Sequence, residues 1–226
     1  MRPHADAAGL RELFELLSAQ VPSGTWWPGD TRFEVAVGAI LTQHTNWANA
    51  SAAVQNLCAA GLLTPAELDL VDDVHLASLI RPAGFCNAKA QYLKSLARWF
   101  SQRDQQAGAL DTAQLRRELL TVRGIGQETA DDLLVYIYGR PVFIYDLYAR
   151  RLLAAAGFGH YASYGAAKRA LDPLVEEAGF TAAEMAAFHG LIVDGGKLAR
   201  SLGGWEVAYP LLRAKALAAA ATKEHL

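Results

Sequence analysis

Only one run in this chain reads as a β-strand, Pro141-Val142-Phe143-Ile144-Tyr145, and a strand without a partner cannot make a sheet. Almost everything else repeats apolar residues at intervals of three and four. "GLRELFELLSAQ" places Leu10, Leu13, Phe14, Leu16 and Leu17 on one helical face. "FEVAVGAILTQ" is apolar on most sides, as a helix central to a core must be. End signals punctuate the remainder: Asp30 or Thr31 as a cap, Thr64-Pro65 with Glu67 as a capping box, Asp111 ahead of "TAQLRRELL", and Gly61 as a stop. The spacing predicts an all-α protein of about ten helices, with "PVFIY" serving as a linker.

With 226 residues, 52% of them hydrophobic, the chain can build one large domain or two compact ones. Its two cysteines, Cys58 and Cys86, suit a reduced, cytoplasmic protein and are too few for a four-thiolate iron–sulfur centre. "MRPHADAAGLRELFELLS" carries a charge every few residues, unlike a signal peptide, and no window nears the roughly 20 apolar residues of a membrane span. The expectation is therefore a soluble protein that needs no membrane. A net charge of -2 weighs against a nucleic-acid binder that relies on counterion release. Two arrangements escape that objection: cations gathered on one face, or phosphate held by backbone amides.

"VRGIGQETA" offers the second arrangement. Gly124, Ile125 and Gly126 join two helical patterns, and amides at the start of the following helix can bind phosphate through the helix dipole. The same residues also fit an ordinary helical hairpin, in which glycine only permits the turn. Twenty residues after Gly126 comes Asp146, placed to cap the helix of "LYARRLLAAAG". A cap does not exclude chemistry, because the helix dipole also stabilises the carboxylate there.

A hairpin, an intervening helix and an aspartate opening the next helix, in "VRGIGQETADDLLVYIYGRPVFIYDLYARRL", resemble the helix-hairpin-helix, Gly/Pro…Asp superfamily of DNA glycosylases. "FEVAVGAILTQHT" is similar to the family's early core helix, "AGFCNAKAQYLKSLA" to its Gly-x-x-Asn-x-Lys-Ala stretch, and "FHGLIVDGGKLA" to the helix that in endonuclease III leads into an iron–sulfur loop. The resemblance covers most of the chain, in order. It implies a six-helix domain over about 31–139, a second domain from 1–30 plus 140–226, and a cleft between them for a flipped base. It implies further that Asp146 is catalytic, that Gly124, Ile125, Gly126 and Thr129 approach double-stranded DNA, and that Gln43 fills the gap left by the flipped nucleotide. Lys89, Lys94 and Arg150 are candidate phosphate contacts, or simply solvated charges. The expected enzyme is a monomer without metal or cofactor.

Departures from the family sharpen the expectation. Endonuclease III carries a lysine in the hairpin just before the Thr-Ala pair, where this chain has Glu128; without an amine no Schiff base forms, so base excision is expected without a lyase step. "GGKLARSLGGWEVAYP" contains no cluster cysteine, leaving Trp205 and Tyr209 to anchor the C-terminal part by packing. "SGTWWPGD" followed by "TQHTNW" resembles the iron–sulfur-free branch that removes 3-methyladenine. Trp27, Pro28 and Trp47, with His44, Trp26 and Lys197, are the candidate base pocket, since aromatic faces favour a cationic alkylated purine. Adjacent tryptophans also serve as an apolar plug, His44 as a helix end and Lys197 as a surface lysine. The competing functions are a thymine or uracil mismatch glycosylase and an inactive helix-hairpin-helix DNA-binding protein.

Overall fold

The computed structural model describes residues 5–22 and 29–223. Helix α1 (Ala7–Gln20) is followed by α2 (Arg32–Thr42), α3 (Trp47–Ala59), α4 (Pro65–Leu70), α5 (Asp73–Leu79), α6 (Cys86–Ala107), α7 (Thr112–Leu119) and α8 (Gln127–Tyr136). Then come α9 (Leu147–Ala156), α10 (Tyr164–Ala178), α11 (Ala182–Ser201) and α12 (Trp205–Lys223). The protein is all-α: no strand occurs among the described residues, and 141–146 connect α8 to α9 without regular structure. Two compact units result, one from Trp27–Arg140 and one from Met1–Trp26 with Pro141–Leu226.

In the first unit α2 lies at the centre, with Phe33, Ala36, Val37, Ile40 and Leu41 buried, as its nearly all-round apolar pattern requires. It packs against α3, α6 and α8, while α4 and α5 cover α6. The caps follow the sequence signals, Thr31 accepting from the Glu34 amide and Asp111 forming a reciprocal capping box with Gln114.

The second unit joins both ends of the chain around an aromatic core. Phe14 meets Phe188 edge-on at 5.3 Å between ring centroids, and Phe188 meets Phe143 at 5.4 Å. Arg11 anchors α1 by donating to the carbonyls of Ala178 and Gly179 and pairing with Glu184. Phe143 and Tyr145 are buried in this core, so the strand-like apolar run serves packing rather than sheet pairing. Trp205 and Tyr209 are buried on α12, matching the anchoring role expected of them. A side chain at Gly195 would bring its Cβ within 2.9 Å of the Trp205 ring, so the indole is seated against α11 backbone.

Candidate active site and nucleic-acid interface

The hairpin is α7, a turn through Gly124–Gly126, and α8. Arg116 on α7 grips the fully buried Asp131 on α8 with two bonds of 2.6 and 3.3 Å, which fixes the angle of the two helices. Gly124 has φ 93°, and a Cβ there would sit 2.3 Å from Cγ of Tyr92, so only glycine fits. Gly126 is different. Its φ is -90°, nothing lies within 4 Å of an added Cβ, and no side chain caps α8, of which it is the N-cap residue. The first-turn amides of α8 therefore lack the side-chain acceptor that caps α2, α3, α7 and α9.

Two hairpin expectations need correction. Ile125 is buried and its amide donates to the Val122 carbonyl at 3.0 Å, so neither its side chain nor its N–H is available to DNA. Thr129 is likewise buried, and its hydroxyl accepts from the Gln43 side chain at 2.9 Å. Gln43 also donates to the Gly124 carbonyl at 2.9 Å, tying the end of α2 to the hairpin turn.

Lys89 is a third correction. It is 2% exposed, and its Nζ donates to the carbonyls of Leu41, Gln43 and Ala83 at 2.7–2.8 Å, so it cannot reach a phosphate. Burial pushes its ammonium below the usual lysine value, while the three carbonyls favour the charged form. The lysine fastens two turns that each contain a left-handed residue, His44 (φ 55°) and Phe85 (φ 47°), whose rings meet at 6.1 Å. His44, Trp47 and Phe85 are all exposed. Lys94 pairs with Asp73 at 2.7 Å. Trp26, Trp27 and Pro28 lie outside the described residues.

Asp146 caps α9, its Oδ1 accepting from the Ala149 amide at 2.7 Å, and is 8% exposed. Its Oδ2 lies 3.9 Å from Nε2 of His189 on α11. Complete burial lowers the His189 pKa to about 4, so near neutral pH a neutral imidazole faces the carboxylate. Sequence reasoning missed His189, although a histidine inside the otherwise apolar "AFHGLIV" was a visible signal. Lys197, a candidate for the base pocket, is 55% exposed and pairs with Asp194 at 3.0 Å, as a surface lysine does. Arg150 donates to the carbonyls of Tyr145, Tyr161 and Ala162.

The residues do not fit a four-thiolate cluster: Cys58 and Cys86 both belong to the unit of α2–α8, far in sequence from the α11–α12 junction. Among the described residues no group of three or more potential ligands can hold a metal ion. No described helix is long and apolar enough to cross a membrane. The unit of α2–α8 offers an uncapped helix terminus and exposed rings on the turns around α2, and the unit built from both chain ends offers an oriented carboxylate beside a neutral imidazole.

Residues 37–177 match the HhH-GPD superfamily of base excision DNA repair proteins. Over 151 residues, 65% of this chain and 69% of the relative, the sequence is 40% identical to a protein assigned as a DNA repair glycosylase in Methanocaldococcus jannaschii. The fold superposes on the H. pylori 3-methyladenine DNA glycosylase bound to 1,N6-ethenoadenine with a TM-score of 0.71 and 25% identity, covering 85% of this chain and 98% of that one. It is similar in fold to endonuclease III in a non-covalent DNA complex, with a TM-score of 0.69, 19% identity and coverage of 84% and 86%.

Proposed function

Because this chain belongs to the HhH-GPD superfamily of base excision DNA repair proteins, and is a DNA glycosylase by that membership, we propose that it excises alkylated purines such as 3-methyladenine and leaves the strand intact. The observation that carries the catalytic part is Asp146, an oriented carboxylate held by a helix N-terminus and facing a neutral histidine. Double-stranded DNA is held at the hairpin by phosphate contacts to the first-turn amides of α8. The damaged nucleotide leaves the stack, and Gln43 exchanges its bonds to Gly124 and Thr129 for the vacated space.

In the hydrolysis the N-glycosidic bond breaks, the base departs with the bonding electron pair, and water adds to C1′ of the sugar. Positive charge develops on the sugar in between. Asp146 stabilises that charge electrostatically and accepts a proton from the attacking water. An alkylated purine is already cationic, so it leaves as a neutral base and needs little further activation. Trp47 and Trp27 supply the aromatic faces that favour a cationic ring by about 1–2 kcal/mol. Similarity to a 3-methyladenine glycosylase over 98% of that protein's length supports this substrate class.

Glu128 supports the absence of a lyase step, since it offers no amine where endonuclease III has its lysine. The test is base release from duplexes carrying 3-methyladenine, a G·T mismatch or a G·U mismatch, each with and without alkali. Release of the methylated base, with strand breaks only after alkali, is the expected result. Mismatch release would move the substrate assignment to thymine or uracil, and breaks without alkali would overturn the reading of Glu128.

A further inference from the structure

A cavity of about 1590 Å³ in the unit built from both chain ends opens between α9, the 157–163 turn, α11 and α12. Its wall carries Arg150, Arg151, Arg200, Arg213 and His160 against a single acid, Glu206. The whole chain has 21 basic and 23 acidic residues, so this is a local reversal of its charge balance. Five arginines elsewhere are matched with carboxylates: Arg11 with Glu184, Arg32 with Asp104, Arg98 with Asp69, Arg103 with Glu118 and Arg116 with Asp131. In this cavity Arg151 and Arg200 are exposed and make no ion pair among the described residues. Arg150 is oriented by three carbonyls, which fix its position but leave its positive charge uncompensated. Leu147 and Tyr148, the two residues after Asp146, form part of the same wall, so the basic surface adjoins the candidate catalytic carboxylate.

We propose that this cavity is a second phosphate-binding surface, which holds the duplex backbone beside the nucleotide that Asp146 acts on. The inference rests on the reading of the chain as a DNA glycosylase. It answers how a protein of net charge -2 gathers cations for a polyanion. Guanidinium groups that lack carboxylate partners can take phosphate oxygens with no internal ion pair to break, and a groove open to solvent admits a continuous strand.

The test measures binding of an undamaged duplex as a function of salt, for the wild type, Arg151→Ala, Arg200→Ala and the double variant, with Arg98→Ala as a control. Each phosphate contact contributes about 0.9 to the slope of log K against log salt. The double variant is therefore expected to lose about 1.8 from the slope. Between 50 and 200 mM salt it should then lose roughly tenfold less affinity than the wild type. Arg98→Ala should follow the wild type. Unchanged slopes in both single variants and the double variant would overturn the proposal, as would an affinity loss equal at every salt concentration. Because the duplex is undamaged, this result is independent of base release: an enzyme that excises normally with unchanged slopes refutes the surface and keeps the function.

Discussion

Replacing Lys89 by methionine tests whether one buried ammonium holds the turns that present Gln43, His44 and Phe85. Methionine keeps the apolar stem and removes only the donor. In the wild type Nζ serves three carbonyls, those of Leu41 and Gln43 at the end of α2 and of Ala83 ahead of α6. Leaving a buried carbonyl without its partner costs about 1–3 kcal/mol. Release from the desolvation that lowers the lysine's pKa offsets part of the sum. The net expectation is a destabilisation of about 3 kcal/mol, a large share of the roughly 5–15 kcal/mol that holds a typical domain. Urea unfolding followed by far-ultraviolet circular dichroism reads this as a lower midpoint at an unchanged m value. Amide exchange at residues 42–45 and 84–86 should quicken in parallel. A midpoint shift worth less than about 0.5 kcal/mol, with exchange unaltered, would refute the idea that the ammonium fastens these turns.

The two hairpin glycines separate structure from binding. Gly124→Ala meets both a left-handed φ and the Tyr92 ring, and is expected to cost at least about 2 kcal/mol in thermal or urea unfolding. Gly126→Ala has room, so its stability should stay within about 0.5 kcal/mol of the wild type while duplex affinity falls; equal affinity would remove Gly126 from the phosphate site. His189 predicts a pH dependence of stability. Its folded pKa of about 4 lies below the ordinary 6.5, so the unfolded chain takes up a proton first as pH falls, and stability present above pH 6.5 is lost towards pH 4. Between pH 7 and 5 the wild type should lose about 2 kcal/mol more than His189→Asn, and parallel curves would show that the imidazole is not buried neutral.

Much of the fold was legible because its information is local. Apolar spacing located α1 and α2, and the caps Thr31, Asp111 and Asp146 lie where short polar side chains precede helical patterns. "PVFIY" was readable as a linker because nothing else in the chain could pair with it. Helix α12 was missed: Gly203 and Gly204 precede it and Pro210 interrupts its hydrogen bonding, so burial of Trp205 and Tyr209 sustains a helix the local signals argue against. The site was less legible than the fold. A lysine in "NAKAQYLKSL" looks like a surface charge, and only the approach of three carbonyls, two of them over forty residues away, makes Lys89 internal. The proximity of His189 to Asp146 depends on the packing of α11 against α9, which no spacing between residues 146 and 189 encodes.

The most direct test of the central claim is single-turnover release of 3-methyladenine by Asp146→Asn. Asparagine caps helices as well as aspartate does, so it can keep the bond to the Ala149 amide and the start of α9 while the charge is removed. The expected result is an unchanged melting temperature and a release rate at least roughly a hundredfold below wild type. Release within a few-fold of wild type, with the variant folded and DNA bound, would contradict the assignment of Asp146 as the group that supports glycosidic bond cleavage.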